Sequence, residues 1–174
     1  MMTFLKHALA IGLLTTLLLL FAGCKKNPTT TSIDVTQPVI DIVCEPSSGA
    51  ADATITVAIL IAANTKEMRV FGLDVSFDPK MLQFQEVQSG TLTGSWAAVD
   101  GNEVSPGSLK VGGFLGAGTP IPAASQGTLA VIKFKVTGNE YGNGQQSQVC
   151  TQQYTDDLTG FKPDPACASF TLQK

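Results

Sequence analysis

From Val39 onward the chain alternates apolar and polar residues in short runs, and each run ends in a cluster of Pro, Gly, Asn, Asp or Ser. Phe71, Leu73, Val75 and Phe77 alternate with Gly72, Asp74, Ser76 and Asp78, the period-2 signature of a strand with one buried face. Asp78-Pro79 ends that run, because proline lacks the N–H that a ladder needs and fixes φ. A second alternation starts at once, with Met81 or Leu82, Phe84 and Val87 as its apolar positions. Ile55, Val57, Ile59 and Ile61 line one face of an earlier run. Leu129, Val131 or Ile132, Phe134 and Val136 line a later one, whose Lys133 and Lys135 face water.

The pattern predicts strands over 39–44, 53–61, 70–77, 82–88, 94–100, 108–115, 127–136, 147–154 and 168–172. Pro46-Ser47-Ser48-Gly49 and Asp100-Gly101-Asn102 are read as turns, and 116–126 and 139–146 as loops. No 3.6-residue period is sustained after residue 23. The fold class is therefore all-β, with nine strands in two packed sheets over residues 39–174.

The N-terminus is different. Lys6 and His7 precede an apolar run from Ala8 to Phe21, too short to cross a bilayer comfortably, and Ala22-Gly23 stand before Cys24. Residues 1–23 read as a signal peptide. Leu20-Phe21-Ala22-Gly23-Cys24 is similar to a bacterial lipoprotein box, which implies acylation of Cys24 and an extracytoplasmic, lipid-anchored address. Lys25 after the cysteine favours the outer membrane where the cell has one. The alternative is an ordinary secretory signal with Cys24 unmodified. Acyl chains bury at about 0.8 kcal/mol per CH₂, so several chains anchor stably. Residues 24–38, rich in Thr and bracketed by prolines, form a tether without a core face.

The chain has 11 basic and 14 acidic side chains, a net charge of −3, and removal of Lys6 makes it more negative. Without a basic cluster beyond Lys25-Lys26, nucleic acid is excluded as a partner on electrostatic grounds. His7 is the only histidine and leaves with the signal. That excludes Ser-His-Asp and Cys-His catalysis and imidazole-based zinc sites. Glu45, Glu67, Glu86, Glu103 and Glu140 are scattered, with none of the pairing a glycosidase needs. The reading is non-enzymatic, with no cofactor.

Asp156, Asp157 and Asp164 offer carboxylate oxygens in one loop, a candidate calcium site that matches no EF-hand spacing. Trp96, between small residues, is the candidate for stacking on a sugar ring. Among the remaining cysteines, Cys150 and Cys167 end and begin neighbouring strands and form the favoured disulfide, with Cys44–Cys150 the other possibility.

Three passages carry a family resemblance: Phe71 to Val87 with its Asp-Pro corner, Leu109 to Leu115 followed by Gly127 to Val136, and Ala168 to Leu172. Together they resemble the cohesin family, and the likeness covers Val39 to Leu172. It implies a nine-stranded jelly roll related to some cellulose-binding modules. It also implies a partner face on the third, fifth and sixth strands, here Asp74, Ser76, Lys110, Gly112 and Phe114. The expected function is to hold a protein partner, a dockerin, at the cell envelope, with a possible place in polysaccharide-degrading assemblies. Direct polysaccharide recognition and a purely structural envelope domain are the alternatives. The competing reading of the face residues makes Asp74 and Ser76 a solvated strand side and Phe114 core.

Overall fold

Each alternating run forms a strand in the computed structural model, which describes residues 37–138 and 140–174. The signal segment, Cys24 and the tether as far as residue 36 lie outside the described residues. The strands are β1 (Val39–Glu45), β2 (Ser48–Gly49), β3 (Thr54–Ala62), β4 (Val70–Ser76), β5 (Leu82–Ser89), β6 (Ala98–Ser105), β7 (Ser108–Phe114), β8 (Gln126–Val136), β9 (Gln146–Asp156) and β10 (Cys167–Leu172). All belong to one compact unit, Ile33–Lys174.

Two sheets stack, one of four strands in the order β1-β3-β8-β5 and one of six in the order β2-β10-β9-β4-β7-β6. The inward residues are those the alternation marks. Ile40, Ile55, Phe134, Phe71, Leu109 and Phe170 are all inaccessible or nearly so. Phe134 sits between Phe77 and Phe84, with ring centroids 4.9 and 6.3 Å away. Burying an aliphatic or aromatic side chain of this size contributes about 1.5–3 kcal/mol, so these facing layers are the main stabilising term.

The strand count is ten rather than nine. Ser48–Gly49, read as part of a turn, pairs in parallel with Thr171 and Leu172 of β10. The chain therefore leaves the four-stranded sheet after β1 and touches the other sheet before returning to β3.

The fifth predicted strand is displaced. Residues 91–97 are turns and bends, and Asp100-Gly101-Asn102 lies inside β6 rather than in a turn. The β6–β7 hairpin reverses instead at Pro106-Gly107. Gly107 has φ +82°, and a Cβ there would stand 2.6 Å from the Phe77 carbonyl oxygen, so only glycine fits the corner without strain. Gly101 points inward, where a Cβ would strike Val87.

Cys150 and Cys167 are direct register partners on β9 and β10 and are joined by a disulfide. Cys44 is buried and unpaired. Burial, followed by the neighbouring Glu45 carboxylate, pushes its thiol pKa up to about 11.

Candidate functional site

The six-stranded sheet presents its outward residues in rows that cross the strands. Val70, Phe114 and Ala98 form one row. Thr155, Gly72, Gly112 and Asp100 form the next, and Gln152, Asp74, Lys110 and Asn102 the third. Cys150, Ser76 and Ser108 follow. All five residues carried over from the family resemblance therefore share one face, on β4 and β7.

Phe114 lies on the outward side of that face. Its neighbours Leu109 and Val111 are buried, whereas Phe114 is 52% exposed and its register partner Val70 is 37% exposed. Alternation along β7 turns Phe114 away from the core, so it is not a core residue. Gly72 and Gly112 stand opposite each other, leaving a strip of bare backbone between the Phe114 row and the Lys110 row. Four residues of strand separate those rows by about 13 Å. The strip is not widened at will: a Cβ on Gly72 would run into the Thr155 hydroxyl, and one on Gly112 would lie 3.1 Å from the Phe71 carbonyl oxygen.

The polar row is internally satisfied at its centre. Lys110 Nζ donates to Asp74 Oδ1 at 3.0 Å and to Oδ2 at 3.4 Å across the β4–β7 pair. Lys110 is largely exposed, so the pair adds at most about 1 kcal/mol, and its role is to fix charge positions. Gln152 Nε2 donates to Ser76 Oγ at 3.0 Å. A register shift between Leu73 and Asp74 in the β4–β9 pairing, with Gln153 at φ +44°, brings Gln152 beside Asp74.

At the Val70 end, Asp157 clamps the start of β4. Its Oδ2 accepts from the backbone N–H groups of Arg69 at 2.8 Å and Val70 at 3.2 Å. Its Oδ1 lies 3.5 Å from Lys66 Nζ. Burial opposes the charge, but the two amides and Lys66 outweigh it and hold the carboxyl below the ordinary aspartate range. This overturns Asp157 as a calcium ligand, because its oxygens are turned onto β4 backbone rather than into a shared cavity. Asp156 Oδ2 accepts from the Thr155 hydroxyl at 3.1 Å, and Asp164 stands apart before Pro165. Among the described residues no three His, Cys, Asp or Glu side chains are placed to hold one metal ion.

Trp96 is likewise not a sugar platform. It is 8% exposed, and its ring lies 5.7 Å from that of Phe71 in the core. The ring folds inward past its small neighbours, and its Nε1 has no hydrogen-bond partner among the described residues. Tyr141 and Tyr154 are half-buried, with hydroxyls donating to Asp78 Oδ2 and the Pro163 carbonyl, both at 2.7 Å. No row of exposed aromatic faces exists among the described residues.

The sequence reading missed Val70, Ala98, Asp100, Asn102 and Gln152 on this face. Val70 was legible as the outward residue preceding Phe71. The β6 residues became legible only with the strand's true register, for which Pro106-Gly107 was the available signal.

The sequence profile of the Cohesin domain family matches residues 40–162 of the chain. No curated protein is similar enough to count as a match. Among solved structures, the third cohesin of ScaC from Acetivibrio cellulolyticus, in complex with the ScaB dockerin, superposes with a TM-score of 0.64 at 17% identity, covering 79% of this chain and 100% of that one. A non-cellulosomal cohesin from the hyperthermophilic archaeon Archaeoglobus fulgidus gives 0.60 at 20% identity, covering 79% and 92%. A type III cohesin module from the cell-surface anchoring scaffoldin ScaE of Ruminococcus flavefaciens gives 0.60 at 13%, covering 82% and 93%.

Proposed function

Because the chain belongs to the cohesin family, we propose that the outward face of its six-stranded sheet receives a protein partner of the dockerin type. Cohesin domains are non-catalytic binding modules. The observation that carries the reading is the exposed Val70–Phe114 pair standing beside a side-chain-free glycine strip and a fixed Asp74–Lys110 pair. An exposed aromatic next to bare, rigid backbone is the form of an interface anchor, since a partner desolvates it without ordering a loop.

The ScaC cohesin of similar fold was solved with a dockerin bound. By that likeness the partner here is a dockerin-bearing protein, such as a component of a polysaccharide-degrading assembly. Acylation of Cys24 would carry the module on the tether 25–38 at an extracytoplasmic membrane surface, the outer membrane where one exists. A tether of that length raises the effective concentration of the module toward partners at that surface.

The test is calorimetric titration of soluble protein beginning at Lys25 with a panel of purified dockerins in calcium-containing buffer. Binding is expected with at least one, and Phe114→Ala is expected to weaken it about 30-fold, the loss of a hot-spot contact of about 2 kcal/mol. Failure to bind any dockerin, or binding indifferent to Phe114→Ala, overturns the proposal. Retention on insoluble polysaccharide that depends on Phe114 would replace it with direct sugar recognition.

A further inference from the structure

On the outward side of β6 stands Asp100, a carboxylate without a counter-charge among the described ion pairs. Asp74, in the adjoining row of the same face, is held by Lys110 at 3.0 Å. None of the ion pairs among the described residues includes Asp100. Its Oδ1 accepts from the following Gly101 N–H at 2.7 Å, and the residue is exposed. Two residues along β6 on the same face stands Asn102, exposed, whose side-chain amide makes no hydrogen bond among the described residues.

Between these two side chains and β7 lies a depression of about 250 Å³, lined by Asp100, Gly101, Asn102, Lys110 and Gly112. That is several times the roughly 30 Å³ share of one water molecule, enough for the end of a long side chain. Lys110 contributes its aliphatic stem while its ammonium is drawn across to Asp74 on β4. The positive charge is thus displaced to one side of the depression and the unpaired negative charge remains on the other. Gly112, on the outward side of β7, adds no side chain to the floor.

We propose that this depression receives a cationic side chain of the bound partner, an arginine whose guanidinium pairs with Asp100 and with the Asn102 side-chain carbonyl. A planar, five-donor guanidinium can donate to a carboxylate oxygen and an amide oxygen at once, whereas a point-charge ammonium offers no planar fork. Because β6 is the outer strand, the side chain enters from the sheet edge while the partner's apolar surface lies on Phe114. The inference rests on the reading that this face binds a protein, and it specifies the partner: basic at the β6 edge and apolar beside Phe114.

The test uses the soluble protein from Lys25, uniformly ¹⁵N-labelled and titrated with N-acetyl-arginine methylamide, with the glutamate analogue as control. The arginine compound is expected to shift the amides of Gly101, Asn102 and Gly112 in a saturable, millimolar response. Asp100→Asn, which keeps an oxygen to accept from Gly101, is expected to weaken that response at least fivefold. No shift at these amides, equal shifts with the glutamate analogue, or a response unchanged by Asp100→Asn overturns the inference. The probe contains no dockerin, so the two proposals fail separately. Dockerin binding without the arginine response sinks only this one, and an arginine response in a protein that binds no dockerin sinks only the other.

Discussion

Replacing Asp157 by alanine tests whether the clamp at the start of β4 holds the outward face of the six-stranded sheet in place. The substitution removes the acceptor of two backbone N–H groups, Arg69 and Val70, and the counter-charge of Lys66. Hydrogen bonds to a charged acceptor contribute about 1.5–3 kcal/mol, and the Asp157 side chain is only 20% exposed. Water reaches the freed amides in the variant, so the low end applies: a loss of about 1.5–2 kcal/mol at pH 7. For a domain of this size that lowers Tm by about 6 °C. Urea unfolding followed by fluorescence measures it directly, because the single tryptophan, Trp96, is buried in the native state. The pH dependence has a definite sign. The folded carboxyl titrates below its ordinary value of 3.8. Its contribution is therefore complete above the unfolded pKa and is lost as pH falls through the lower folded value. The gap between wild type and Asp157→Ala should accordingly be constant from pH 8 to about 5 and narrow towards pH 2. A difference under about 0.5 kcal/mol at pH 7, or a gap that holds its full size at pH 2, would refute the assignment.

Gly107→Ala should destabilise the domain by about 2 kcal/mol or more in the same urea assay, since φ is +82° and the added Cβ meets the Phe77 carbonyl at 2.6 Å. An unchanged midpoint would show that the β6–β7 corner tolerates another backbone conformation. Cys44, buried and with its thiol pKa raised to about 11, should be silent to a thiol-specific chromogenic reagent at pH 8 and react with one equivalent only in denaturant. Fast labelling of the native protein would place that end of β1 in solvent.

The inward faces were legible in the sequence because alternation is enforced locally by the pleat. Phe71, Leu73 and Val75, and Ile55 to Ile61, are buried as the period-2 pattern requires. The Asp-Pro corner was legible for the same kind of reason. Asp78 Oδ1 accepts from the Lys80 N–H at 2.9 Å and the Asp78 carbonyl accepts from Met81 and Leu82, all within four residues. The fifth strand was misplaced because Asp100-Gly101 reads as turn chemistry in isolation. In the sheet, Gly101 is a strand residue made small by Val87, which comes from the other sheet. Trp96 was misread because nothing near it in sequence shows that Phe71 lies above its ring.

The amino-acid order alone determined a two-layer β sandwich and its buried faces, since these depend on side-chain period. Which polar groups stand together was decided only by the tertiary fold. Asp157 meets Arg69 across 88 positions, Gln152 meets Ser76 across 76 and Lys110 meets Asp74 across 36. Strand register sets such pairs, and register is a collective result of packing both sheets and of the bulge beside Leu73. A one-residue slip would have sent Phe114 to the core and Asp100 away from its depression. The proposed binding face belongs to the register rather than to any single stretch of the chain.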